Sequence, residues 1–180
     1  MNETESRLRD AQGMANLLES MARQIVERRY AGSPLRLVGI RTRGVPIARR
    51  LAELLQPIVG VEVPVGAVDI TLYRDDLGGG DRWPVLRGTD IPFPVEGAEI
   101  VLVDDVLYTG RTVRAALNAV CDLGRPSCAR LAALVDRGGR EVPIQADVVG
   151  LRIATERQER VRVRVQPVDP VDEIVRIAGP

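Results

Sequence analysis

The sequence predicts an α/β fold: a mostly parallel central sheet flanked by helices, in a single domain. Three observations support this. Short β-rich runs alternate with stretches of helical periodicity along the chain, the order that builds a parallel sheet through helical crossovers. The run Ile100-Val101-Leu102-Val103 is continuously apolar, as in a strand buried on both faces. The chain has 180 residues, 45% of them hydrophobic, enough for one packed core and too apolar for disorder.

In chain order, residues 7–30 place Leu8, Ala11, Met14, Ala15, Leu18, Met21, Ala22 and Ile25 at helical spacing, and Gly32-Ser33-Pro34 ends that helix. Leu35–Ile40 reads as a short strand and Arg41–Gly44 as a turn. A second helix starts near Pro46, where proline is tolerated in a first turn. Val61–Val65 and Ala67–Leu72 are further β-rich runs. The triplet Gly78-Gly79-Gly80 predicts a mobile loop, and Trp83–Pro94 reads as a returning strand broken by prolines. After the 99–103 strand come a helix near Thr112–Leu123 and a strand over Arg130–Val135. Late strands follow at Asp147–Gly150, Arg160–Val165 and Glu173–Ile177.

Composition removes whole classes of chemistry. There is no His, all 25 basic residues are Arg, and net charge is zero. A Ser-His-Asp triad, a His-ligated metal, a Schiff-base Lys and a Walker A lysine are therefore excluded. Any nucleic-acid site must be a local patch. Cys121 and Cys128 are too few for a disulfide framework, and they read as buried thiols of a reducing cytosol. No apolar stretch approaches the roughly 18 residues of a membrane span, and no signal peptide is evident. A cytoplasmic protein without membrane association is expected.

The chemistry concentrates in Ile100–Thr112. A hydrophobic strand ends in Asp104-Asp105, and Val106-Leu107-Tyr108-Thr109-Gly110-Arg111-Thr112 opens a helix. Ligands of open parallel sheets bind beyond the strand C-termini, and helix N-termini attract phosphate. Two adjacent acids can accept bonds from sugar hydroxyls, but side chains on a flat strand alternate, so both reach one ribose only if the strand bends.

These thirteen residues resemble the phosphoribosyl-pyrophosphate (PRPP) signature of the type I phosphoribosyltransferases. Val38–Pro46 is similar to the family's pyrophosphate loop, Asp69–Leu77 to the start of its hood, and Leu134–Gly138 to the end of its base-pocket strand. With Val106-Leu107-Tyr108, the set resembles one branch, the pyrimidine operon attenuator/uracil phosphoribosyltransferases (the PyrR family), from about residue 8 to about residue 177. The resemblance implies a type I phosphoribosyltransferase-like fold with a flexible hood, about residues 70–94, over the strand C-termini. It implies that uracil and PRPP give UMP and diphosphate with Mg²⁺, bound through PRPP and through Asp104 and Asp105. The implied catalytic residues are Asp104, Asp105 and Arg43. PRPP and UMP would be held by Thr42, Arg43, Gly44 and Asp104 to Thr112. The base and lid would use Tyr73, Arg74, Arg137 and Val161, with Val106 beside the base.

Family members also bind the leader RNA of the pyr operon when UMP is bound, and so control transcription attenuation. Arg23, Arg140 and Arg152 are the candidate RNA contacts. Period-two alternation also puts Arg160, Arg162 and Arg164 on one strand face; that face serves RNA, or else is a solvated strand face or a subunit interface paired with Glu156 and Glu159. The chain departs from the family at Gly139, Gln145, Arg23 and Leu151-Arg152, removing a His and an Arg suited to RNA. The departures leave open a PRPP-dependent phosphoribosyltransferase without RNA binding, or one using another nucleobase. A homodimer or homotetramer is what the family implies.

Overall fold

A computed structural model describes residues 4–70 and 88–179. The elements are β1 (Glu5–Arg9), α1 (Ala11–Glu27), β2 (Leu35–Ile40), α2 (Gly44–Val59), β3 (Val65–Val68), β4 (Glu99–Leu107), α3 (Arg111–Cys121), β5 (Cys128–Asp136), β6 (Val148–Arg152), β7 (Arg160–Arg164) and β8 (Glu173–Ile177). Five strands form a parallel sheet in the order β3-β2-β4-β5-β6, with β4 at its centre.

Alternation inside the apolar runs divides the core into two layers. Leu37, Val101, Val103, Ala132 and Leu134 face one side, where they pack with Met14, Leu18 and Met21 of α1 and Ile47, Leu51 and Leu55 of α2. Val38, Ile100, Leu102, Leu131 and Ala133 face the other, against Val113, Ala116 and Val120 of α3. A continuous hydrophobic run is therefore two interleaved period-two patterns, one per face. Asp10 fixes the start of α1 by accepting from Gly13 N at 2.8 Å, a standard N-cap bond.

The last strands do not extend the parallel sheet. They form a separate antiparallel sheet, β1-β8-β7, whose Val163 and Ile174 pack on the α1/α2 layer. Residues 7–9, read as the beginning of the first helix, belong instead to the edge strand β1, paired with β8 from Glu5↔Ile177 to Arg9↔Ile174. Leu8 fits helical spacing, but the pairing with β8 is 165 or more residues away in sequence, beyond any local pattern. The arginines of β7 do form one outward face, and acids from the neighbouring strands meet it. Glu5 accepts from Arg162 at 3.1 Å and from Arg164 at 2.7 and 2.9 Å. Glu173 takes Arg164 and Arg7. The partners of Arg162 and Arg164 thus include Glu5 and Glu173; Glu159 pairs with Arg176 at 3.6 Å.

Two further expectations change. Of Trp83–Pro94, the described part, 88–94, makes only the isolated bridge Asp90–Ala67, because Pro92 and Pro94 cannot donate to a ladder. Cys121 is exposed and Cys128 half-buried, since both lie at element ends rather than in the core. No helix among the described residues is long and apolar enough to cross a membrane.

Leu51 is fully buried between α2 and the sheet. Leu51→Ala is expected to destabilise the protein by about 2–5 kcal/mol through the cavity it leaves, measured by urea unfolding.

Candidate active site

The site arises from a mismatch in strand length. Pairing of β4 with β2 ends at Gly39↔Val103, whereas pairing with β5 continues to Leu107↔Asp136. Beyond Val103, β4 has a partner on one side only, and the chain after β2 turns at once through residues 41–43 into α2. That turn is pressed onto the sheet: a Cβ at Gly44 would lie 2.3 Å from Val103 O, so only glycine permits the approach. The Arg41–Thr42 peptide is cis. Arg43 is the N-cap of α2 and makes no side-chain capping bond, so its side chain does not satisfy the first amides of α2.

Asp104 and Asp105 lie where β4 runs on beyond β2. Asp104 is 5% exposed, and Asp105 donates its backbone N–H to Asp104 Oδ1 at 3.0 Å. Burial, then the neighbouring Asp105 charge, push the Asp104 carboxyl well above its usual range. Burial also raises Asp105, opposed by its bonds to Asp104 and the Val106 backbone and by the Arg43 charge. Asp104 lines a cavity of about 130 Å³ with Val106 to Gly110, Thr112 and Val113. Gly110, at φ 88°, is the N-cap of α3 and has no side chain to cap it; the first amide, Arg111 N, donates only a long 3.4 Å bond to Thr109 Oγ1, and an anion is the stronger acceptor such a helix start attracts. Glu141 N and Val142 N donate to Thr109 O at 2.9 and 3.2 Å, which pins the loop from the far side.

The cation facing the acids is Arg43. Its Nε and Nη2 each donate to Asp169 at 2.8 Å, and Asp105 acts on it electrostatically. The Arg43 bond holds the Asp169 carboxyl below its usual range.

On the opposite flank, Arg137 Cζ stacks 4.1 Å from the Tyr108 ring centroid. Arg137 is 7% exposed and donates to Thr155 Oγ1 at 3.0 Å and Glu159 O at 2.6 Å. Gly139 lies against the same ring, where a Cβ would come within 2.3 Å of Tyr108 Cε2. Arg140, a candidate RNA contact, is turned inward. It donates to Tyr108 O and Ile144 O at 2.9 Å and to Asp136 Oδ2 at 2.7 Å. These carbonyls and the carboxylate consume the guanidinium fork that an RNA contact would need.

The structure therefore brings together Thr42, Arg43, Gly44, Asp104, Asp105, Val106, Leu107, Tyr108, Thr109, Gly110, Arg111, Thr112 and Arg137. Val161 sits, like Val106, at the partly buried rim of the α1/α2 layer. Arg23 and Arg152 are exposed on α1 and β6, Arg23 near Glu19 at 3.6 Å. Tyr73 and Arg74 lie outside the described residues. Sequence reading missed Asp169 and the Arg137–Tyr108 stack; no local pattern marks an acid 126 residues away as the partner of Arg43.

The raised Asp104 carboxyl has a thermodynamic signature. The fold favours its protonated form, so stability falls as pH rises from the ordinary carboxylate value, about 4, toward the raised one. In metal-free buffer, Asp104→Asn is expected to melt above the wild type at pH 7, with an advantage that shrinks as pH is lowered to 4. Equal melting temperatures across this range would contradict the burial described.

The comparisons with known proteins agree with this geometry. The phosphoribosyl transferase domain family matches residues 5–166. The "Bifunctional protein PyrR" of Pelotomaculum thermopropionicum is 51% identical, covering 97% of this chain and 97% of its own. That of Deinococcus radiodurans is 52% identical over 91% and 88%. Among solved structures, the hypoxanthine phosphoribosyltransferase of Trypanosoma cruzi superposes with a TM-score of 0.72 at 19% identity, covering 97% of each chain, a likeness of fold. Matched over nearly its whole length by proteins half identical to it, and carrying the acid-tipped central strand in the same fold, the chain belongs to the phosphoribosyltransferase family, in its PyrR branch.

Proposed function

We propose that this protein transfers the ribose 5-phosphate of PRPP to uracil, giving UMP and diphosphate, and that with UMP bound it holds the pyr operon leader RNA in the cytoplasm. The observation that carries the transferase reading is the buried Asp104 beside the half-buried Asp105. The pair is flanked by the glycine-started N-terminus of α3 on one side and Arg43 on the other.

Each part of the donor then has a matching group. The 5′-phosphate fits the roughly 130 Å³ cradle, where α3 amides and the hydroxyls of Thr109 and Thr112 donate. Asp104 and Asp105 accept from the ribose hydroxyls. Thr42, Arg43 and Gly44 receive the diphosphate, with Arg43 as the charge-assisted donor. Uracil lies by Val106 and the Arg137–Tyr108 stack, with Val161 at the rim and Tyr73 and Arg74 assigned to the lid. As the bond from the anomeric carbon to diphosphate breaks, positive charge grows on the sugar and negative charge on the leaving group. Fixed acids and a fixed guanidinium stabilise both. Uracil N1 then bonds to the anomeric carbon, and its proton leaves to the departing diphosphate.

Mg²⁺ suits these residues. No cluster of three ligating side chains exists among the described residues, and Mg²⁺ is commonly held by one or two carboxylates together with substrate phosphates. Asp104 and Asp105, which burial pushes toward protonation, gain from a nearby cation. When bound with PRPP, the ion supplies charge neutralisation for the departing diphosphate.

RNA binding rests on Arg23 and Arg152, the predicted contacts that stand exposed, on elements that pack together. A phosphoribosyltransferase without an RNA role is the reading that the inward Arg140 and the paired β7 arginines favour. A homodimer or homotetramer completes the proposal.

Radiolabelled uracil with saturating PRPP and Mg²⁺ is expected to yield UMP, and no product would overturn the enzyme. Asp104→Asn and Asp105→Asn should each lower turnover at least ~10²-fold, the scale of losing one preorganised contact at a transition state. For RNA, leader binding is expected only with UMP, with a salt slope that weakens by about 0.7 for each of Arg23 and Arg152 replaced by Ala. Binding indifferent to UMP would leave the enzyme alone.

A further inference from the structure

The connector between β7 and β8 is clamped to α2 at two points. Arg43 grips Asp169 through Nε and Nη2, both at 2.8 Å. Arg50 grips Asp172 through Nη1 at 2.7 Å and Nη2 at 3.1 Å. Arg43 and Arg50 are two helical turns apart, so both forks leave one face of α2. The acids are themselves fixed. Asp169 accepts from Val165 N at 2.9 Å, and its own N–H donates to Val165 O at 2.9 Å. Asp172 accepts from Gln166 N at 2.8 Å.

The two clamps differ in what lies behind them. Arg50 donates its remaining bond to Gln166 O at 3.2 Å, within the same connector. Arg43 stands between Asp169 and Asp105, at the N-terminus of α2. Its side chain is 34% exposed, while that of Asp169 is 13% exposed. Asp169 takes the Nε–Nη2 edge of the fork, which leaves the Nη1 edge for another acceptor. With neither Lys nor His in the chain, cations near this turn come from arginine alone, and Arg41 Nε is bound to Gly88 O at 2.7 Å. Among the described residues Arg164 also acts on the Arg43–Asp169 pair, but its guanidinium is bound to Glu5 and Glu173, so the orientation of the Arg43 guanidinium bears on how an anion entering the turn is met.

We propose that Asp169 is a positioning residue for the transfer: it holds one edge of the Arg43 guanidinium so that the other edge faces the diphosphate of PRPP. The inference rests on the reading of Arg43 as the diphosphate contact and adds to it a residue from the second sheet. Asp169 touches no substrate and acts through Arg43. It also offsets the Arg43 charge before the donor arrives, so the turn is not left as an uncompensated cluster of cation and helix N-terminus.

The test uses the full chain with Asp169→Asn, Asp169→Glu and Asp172→Asn. Titration calorimetry measures Mg²⁺–PRPP and UMP, and steady-state rates separate KM from kcat. Asp169→Asn is expected to weaken PRPP about tenfold, in Kd and KM, the scale of one misdirected charge-assisted bond. UMP has no diphosphate, so its affinity should stay within about twofold. Asp169→Glu restores a carboxylate and should recover most of the PRPP affinity. Asp172→Asn loosens the same connector without touching Arg43; it should lower the melting temperature yet leave PRPP binding within about twofold. The inference is overturned if folded Asp169→Asn binds PRPP as the wild type does. Parallel loss of PRPP and UMP, or equal harm from Asp172→Asn, would likewise overturn it by making the effect one of stability. A wild type that binds UMP but not PRPP would instead overturn the diphosphate reading of Arg43.

Discussion

Two adjacent carboxylates cannot both be charged in a dry strand end without compensation, and the rest of the site is arranged around that constraint. Asp104 and Asp105 are placed there by the length of β4, which outruns β2 but not β5. The alternation that sorts the core into two layers continues into the pair. Asp104 lines the cradle before α3, on the side where Ile100 and Leu102 pack, while Asp105 is the acid that Arg43 opposes. Two helix N-termini approach from opposite layers, and each brings partial positive charge. Burial makes holding the acids costly in stability. This is a common relation between a binding site and the fold that carries it.

Arginine supplies all the side-chain cations, and its planar fork leaves a recognisable imprint. Arg43 and Arg50 bind carboxylates in bidentate fashion. Arg137 stacks on Tyr108 while bonding to the 155–159 segment. Arg140 stitches the loop after β5 to the phosphate cradle through Tyr108 O. These guanidiniums are internal struts as much as surface charges. A lysine at any of them would lose the second bond or the stack, so the absence of lysine goes with the way the loops are braced.

Much of this was legible in the sequence, for physical reasons. The central strand, its two acids and the Thr-Gly-Thr turn are contiguous, so local chemistry and spacing identified them. Helices α2 and α3 and strands β2, β4 and β5 followed from periodicity, with boundaries shifted by a few residues. The failures were non-local. β1 was hidden because an edge strand is defined by its distant partner, and Leu8 satisfied a helical pattern equally well. The β7 arginines offered an outward charged face whose owners, Glu5 and Glu173, lie on two other strands. Arg140 read as a surface cation because the carbonyls that claim it carry no side-chain identity. Asp169 had no local mark at all.

The pairing of β1 with β8 has a temporal consequence. On a ribosome the parallel sheet, from β3 to β6, can assemble while the C-terminal residues are still inside the exit tunnel, yet Glu5 must wait for Ile177. Closing so wide a loop is entropically slow relative to local contacts. A nascent chain would thus acquire its acid-tipped crevice early and its Asp169 strut late. Until β8 has been made, the first strand is an unmated edge, the sort of surface on which holdase chaperones act.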